Sequence, residues 1–118
     1  MIYAFIEDGT LELIADAGEA RSKYEGIDVE AGVVTFFDEK GAPLEAVFSV
    51  PNRRGKTLGL IPWVESGVFD LAPAVRHDGD SFALALSEAV ALAPNPWFRT
   101  LDELRAHARQ LGIGGDRA

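Results

Sequence analysis

The chain has 118 residues and no cysteine. That absence excludes disulfides, thiolate zinc sites, iron–sulfur clusters and a cysteine nucleophile. It also suits a reducing cytoplasm. No apolar run comes near the ~18 residues of a membrane span. Met1 leads directly into Ile2-Tyr3-Ala4-Phe5-Ile6, without the basic segment and apolar core of a signal peptide. The expectation is a cytoplasmic protein of bacterial type with no membrane partner. Basic residues are scarce in one half only. Residues 1–50 hold three of them against eleven acidic ones, whereas residues 51–118 hold eight of each. The net charge of −8 therefore arises entirely in the first half. Phosphate contacts need clustered Lys and Arg, so nucleic acid is not an expected partner.

Catalytic patterns are missing too. There is no G-x-S-x-G elbow around Ser22, Ser49, Ser66, Ser81 or Ser87, and no H-E-x-x-H or G-x-G-x-x-G. Gly55-Lys56-Thr57 matches the end of a phosphate-binding loop. The glycine required five residues earlier is Val50, however, and a strand pattern follows where a helix is needed. Pro51 to Lys56 reads instead as a basic, turn-rich loop. No cofactor is expected.

What is present is globular: 47% hydrophobic residues, with seven Phe, two Trp and two Tyr. Residues 1–113 are expected to form one domain, with 114–118 a flexible tail. Met1–Ile6 and Thr10–Ile14 read as strands joined at Asp8-Gly9, the pattern of a two-residue hairpin turn. Asp16 with Glu19 forms a capping box opening a helix over Ala17–Glu25, which Gly26 would end. Val33–Phe37 and Leu44–Val50 read as a hairpin across Asp38-Glu39-Lys40-Gly41. Thr57–Ile61 and Val68–Ala72 are further candidate strands, with Pro62 at an edge. Asp80 would cap a helix over Ser81–Leu92, although alternation of Phe82, Leu84 and Leu86 with Ala leaves a strand open. Thr100 with Glu103 opens a helix over Leu101–Leu111, and Gly112 stops it. The order ββα-ββββ-αα predicts an α+β fold. Its mainly antiparallel sheet would have five to six strands, with three helices packed on one face.

Three functional readings follow. The first is a non-catalytic protein–protein module. Glu7, Asp8, Asp28, Glu30, Asp38 and Glu39 lie in turns and connections, where they would form an acidic surface that steers a basic protein. Trp63, beside Pro62, is the aromatic anchor such a surface uses; Trp97, beside Pro96, has the same setting, and both also suit packing over the core. Inhibitors of basic toxins and nucleases carry this kind of charge, and a homodimer is compatible with it. The second reading is an enzyme using His77, Asp78 and Asp80 as an acid–base or metal set. The same residues suit an ordinary turn. They are not an EF-hand loop, because the twelfth position from Asp78 is Ala89. His107, four residues after Glu103, is expected as a solvated helical histidine. The third reading is a ligand-binding or oligomeric domain with an apolar cavity lined by Phe36, Phe48, Leu60 and Trp63.

Overall fold

In the computed structural model, Ile2–Ile6 (β1) and Thr10–Ile14 (β2) pair antiparallel, with Tyr3 opposite Leu13 and Phe5 opposite Leu11. The turn is not the two-residue kind. The Gly9 N–H donates to the Ile6 carbonyl at 2.9 Å and Gly9 has φ +94°, the signature of a three-residue loop ending in a left-handed glycine. The structure describes residues 1–57, 59 and 61–113. The tail 114–118 and Leu60 lie outside them, as does part of the segment Thr57–Ile61.

Ala17–Lys23 (α1) starts as expected. Asp16 Oδ1 accepts the Glu19 N–H at 2.9 Å, and Glu19 Oε2 reaches back to the Ala15 N–H at 2.8 Å. The helix stops at Tyr24, and Gly26 is not its left-handed cap. Gly26 instead opens a second short helix, Gly26–Glu30 (α2). Val34–Phe37 (β3) then pairs antiparallel with β1, and Pro43–Val50 (β4) with β3. The Asp38 turn between them is as expected: Asp38 Oδ1 accepts the N–H groups of Lys40 and Ala42, both at 2.9 Å.

The next segment departs from expectation. Arg53–Thr57 (β5) is a strand, not a loop, and it pairs antiparallel with Ile61–Glu65 (β6). Together they form a two-stranded ribbon separate from the main sheet. Gly55 lies opposite Trp63, whose indole covers the position a side chain would take. A Cβ at Gly55 would fall 2.5 Å from Cζ2 of that ring. The chain returns through Val68–Pro73 (β7), the partner of β4 along nearly its whole length.

Phe82–Glu88 (α3) is a helix, which settles the choice against a strand, but it is shorter than expected and Ser81 caps it, not Asp80. It ends because Ala91–Leu92 (β8) joins β2 in parallel, with Ala91 opposite Thr10. The orphan carbonyls at its end meet the guanidinium of Arg105, which donates to Leu86 and Ala89, both at 2.8 Å from Nη2. Leu101–Leu111 (α4) begins and ends at the expected residues. Thr100 caps it and Gly112 closes it at φ +64°.

Among the described residues the fold is α+β with a mostly antiparallel six-stranded sheet, in the order β7-β4-β3-β1-β2-β8, and four helices. The helices do not share one face. On one face Tyr3, Leu11, Leu13 and Phe37 pack under Phe82 and Leu86 of α3 and Leu104 and Ala108 of α4. On the other, Ala4, Ile14, Phe36 and Phe69 pack under Ala20 of α1 and Val29 of α2. The first face is knit by edge-to-face rings, with Tyr3 4.7 Å and Phe37 5.6 Å from Phe82. Among the described residues no helix is long and apolar enough to cross a membrane.

Candidate functional site

Antiparallel pairing decides where the acidic turns go. Ile6 lies opposite Val34, and the Glu7 N–H donates to the Val33 carbonyl at 2.9 Å. The Glu7-Asp8 turn therefore sits at the end of the sheet where β3 begins. Tyr3 lies opposite Phe37, so Asp38 and Glu39 are at the other end. The six predicted acids do not form one surface. Asp28 and Glu30 lie exposed on α2, on the second face, and Glu30 Oε1 is 3.9 Å from Arg54 of the ribbon. Asp38 is occupied in organising its own turn.

On the first face a cleft of 670 Å³ runs from the Glu7-Asp8 turn to Phe37 and His77. Clefts that enclose small ligands run from roughly 300 to 1,000 Å³. Its apolar part comes from Phe5, Phe37 and Ala89, with Val90 at the rim. Its polar part is acidic: Glu7, Asp8, Asp80 and Glu88, together with His77. No Lys or Arg lines it among the described residues. Gly9 closes one corner. Its carbonyl accepts the Val90 N–H at 2.9 Å, and a Cβ there would meet Val90 Cγ2 at 2.8 Å. Asp8 is held below the ordinary carboxylate range, chiefly because Oδ1 accepts the Thr10 N–H at 2.9 Å.

Of the proposed acid–base set, His77 and Asp80 reach this cleft and Asp78 does not line it. Asp78 is exposed and lies 3.8 Å from Arg76. His77 packs edge-on against Phe37, with ring centroids 5.5 Å apart. Its Nε2 is 2.6 Å from the Asp80 carbonyl oxygen. A carbonyl only accepts, so Nε2 carries the hydrogen and the ring staples the loop. Among the described residues no three of His, Asp and Glu converge in a way that holds a metal ion.

Of the four residues expected around an apolar cavity, Phe36, Phe48 and Trp63 are described, and they fall in two parts of the fold. Phe36 and Phe48 flank Phe69 in the second core, at 6.5 and 5.8 Å, and Trp63 lies on the ribbon. Leu60 is outside the described residues. His107 is not simply solvated, because its ring packs on Phe98 at 5.1 Å. Trp97 is exposed beside a turn held by Asn95, whose Oδ1 accepts the Trp97 and Phe98 N–H groups at 2.8 Å.

Glu88 is the cleft residue that sequence reasoning passed over. It lies on the polar side of a short helix, and only the parallel return of β8 beside β2 brings that helix end to the Glu7-Asp8 turn. No local pattern encodes that pairing. Comparison with protein-family models, curated proteins and solved structures finds no match to this chain.

Proposed function

We propose that this protein is a non-catalytic binding module whose acidic cleft receives a basic segment of a partner protein. The observation that carries this reading is the composition of the cleft: four carboxylates and one histidine around an apolar floor, without a cation among its described lining residues. Arg and Lys side chains suit such a place, because their stems lie on apolar surface while their charged heads meet carboxylates. The acids are exposed, so each pair contributes little alone; the combined field speeds encounter and selects charge.

The test separates the two ends of the sheet. Reversing Glu7 and Asp8 to Lys should weaken partner capture about tenfold or more. Reversing Asp38 and Glu39 should change it by less than about threefold, since those residues do not line the cleft. Equal effects from both pairs would place the determinant in overall charge and sink the cleft reading.

A second reading, general acid–base chemistry by His77, draws on the presence of its ring in the cleft lining. Against it stands the engagement of Nε2 with the Asp80 carbonyl. An activity lost in His77→Ala but kept in Asp78→Ala would favour it over binding alone.

A further inference from the structure

We infer that the β5–β6 ribbon is an exchange arm. The ribbon of one copy seats in the acidic cleft of a second copy, which returns its own ribbon, giving a closed two-fold pair. This inference rests on the cleft being a receptor for basic segments, and it names the segment.

The charges are complementary. Residues 53–65 hold Arg53, Arg54 and Lys56 against Glu65, a net +2, so the rest of the chain holds −10. Lys56 faces Pro62 across the ribbon and has no carboxylate within ion-pair distance among the described residues. Arg53 stacks over Trp63 at 6.0 Å, which presents a flat cation–aromatic surface. The apolar parts are complementary as well. Ile61 and Val64 of the ribbon are 61% and 63% exposed, while Phe5, Phe37 and Val90 line the cleft.

The ribbon also needs cover. An isolated two-stranded ribbon is marginal in water, and both of its outer edges present unpaired backbone groups. The chain builds it nonetheless and fixes its root. Asn52 Nδ2 donates to the Gly26 carbonyl at 3.0 Å, and its Oδ1 accepts the Gly67 N–H at 2.7 Å. A joint of this kind presents the ribbon in a set direction.

Topology makes the exchange intermolecular. β4 runs antiparallel to β3, so the ribbon leaves the sheet at the same end as the Glu7-Asp8 turn. Its root is clamped to α2 on the second face, whereas the cleft opens on the first. The sheet separates a ribbon from its own cleft. Two copies meeting at these ends can each satisfy the other, which is a closed isologous contact rather than an open filament. Val50 and Val68, paired at the end of the β4–β7 ladder and both nearly half exposed, adjoin the ribbon root and would be covered by that contact.

The experiment is sedimentation velocity of the full chain at about 100 μM, in about 50 mM and about 500 mM salt. The expected result is a dimer at low salt whose dissociation constant rises about tenfold or more at high salt. A ribbon-reversed variant (Arg53→Glu with Lys56→Glu, ribbon charge −2) and a cleft-reversed variant (Glu7→Lys, Asp8→Lys and Glu88→Lys, which with Asp80 leaves the cleft at +2) should each be monomeric at low salt. Mixed one to one they should dimerise, because every ribbon then meets a cleft of opposite charge. A monomeric wild-type chain, a dimer indifferent to the cleft reversal, or a mixture that stays monomeric overturns the inference. A fluorescent Arg/Lys-rich peptide titrated onto the wild-type and cleft-reversed chains reads the cleft independently. Peptide binding by a monomeric wild type would retain the cleft as a receptor while removing the ribbon as its ligand.

Discussion

Tyr24 shows how a single side chain couples this fold to pH. Its hydroxyl donates to Glu12 Oε1 at 2.6 Å, and Lys23 Nζ lies 3.2 Å from the other oxygen of the same carboxylate. Burial first, then the Glu12 carboxylate, push the Tyr24 hydroxyl well above its ordinary value. Tyr3 moves the same way, by burial and then by Glu39. A tyrosine that resists ionisation in the fold ionises near pH 10 once unfolded. Its contribution is therefore fully present below about pH 10 and is lost progressively as the pH rises above that value. Urea midpoints measured from pH 8 to 11 should fall across the upper part of that range, and Tyr24→Phe should flatten the fall. A wild-type profile that stays level would contradict the assignment. At this scale the N-caps at Asp16 and Thr100 could be read from the sequence, because a cap is a contact over three residues, whereas Asp80 yields its place to Ser81. Arg105 could not be read so. It serves carbonyls 16 to 19 positions away, and nothing near it in the chain marks that use.

Among the elements, the ribbon was the hardest to read, and its glycines explain why. Pro51, Asn52 and Gly55 are residues that strands avoid, so the segment has the composition of a loop. It is a strand because Trp63 supplies the cover that Gly55 lacks. Gly26 misled for a related reason. A glycine after a helical stripe signals a left-handed cap, but here it serves close approach. A Cβ would stand 2.7 Å from Asn52 Oδ1 and 3.1 Å from Phe48. At Gly67 a Cβ would fall 1.9 Å from the Val50 carbonyl oxygen, which is backbone and cannot move aside cheaply. These three residues make the ribbon root. Asn52→Ala removes both hydrogen bonds of the clamp and should cost about 1–2 kcal/mol. The stronger sign would be local: trypsin cleavage at Arg53, Arg54 or Lys56 should speed up while far-UV circular dichroism stays unchanged. Cleavage at the wild-type rate would mean that the β5–β6 pairing holds the ribbon without the clamp.

For the whole molecule, helices on both faces were the main departure, yet a signal for them was present. Ile2-Tyr3-Ala4-Phe5-Ile6 is apolar at every position, and a strand with one wet face would alternate. Tyr3 and Phe5 serve one core and Ile2, Ala4 and Ile6 the other. The gathering of the acids, by contrast, depends on strand direction, which short apolar runs do not encode. The resulting molecule measures 56 × 29 × 23 Å. Among the described residues neither core includes a residue of the ribbon. The body should therefore fold without it. Replacing residues 53–65 with a short Gly-containing turn between Asn52 and Ser66 keeps the β4–β7 register, which closes at Val50 opposite Val68. Among the described residues the ion pair this removes from the body is the exposed Arg54–Glu30 pair, worth less than about 1 kcal/mol. The thermal midpoint should move by no more than a few degrees, as expected for a change of about 1 kcal/mol in a chain of this size. Salt-sensitive self-association should disappear at the same time. A deletion that unfolds the body would make the ribbon part of the fold. A deletion that leaves both the fold and the association intact would move the interface to another surface.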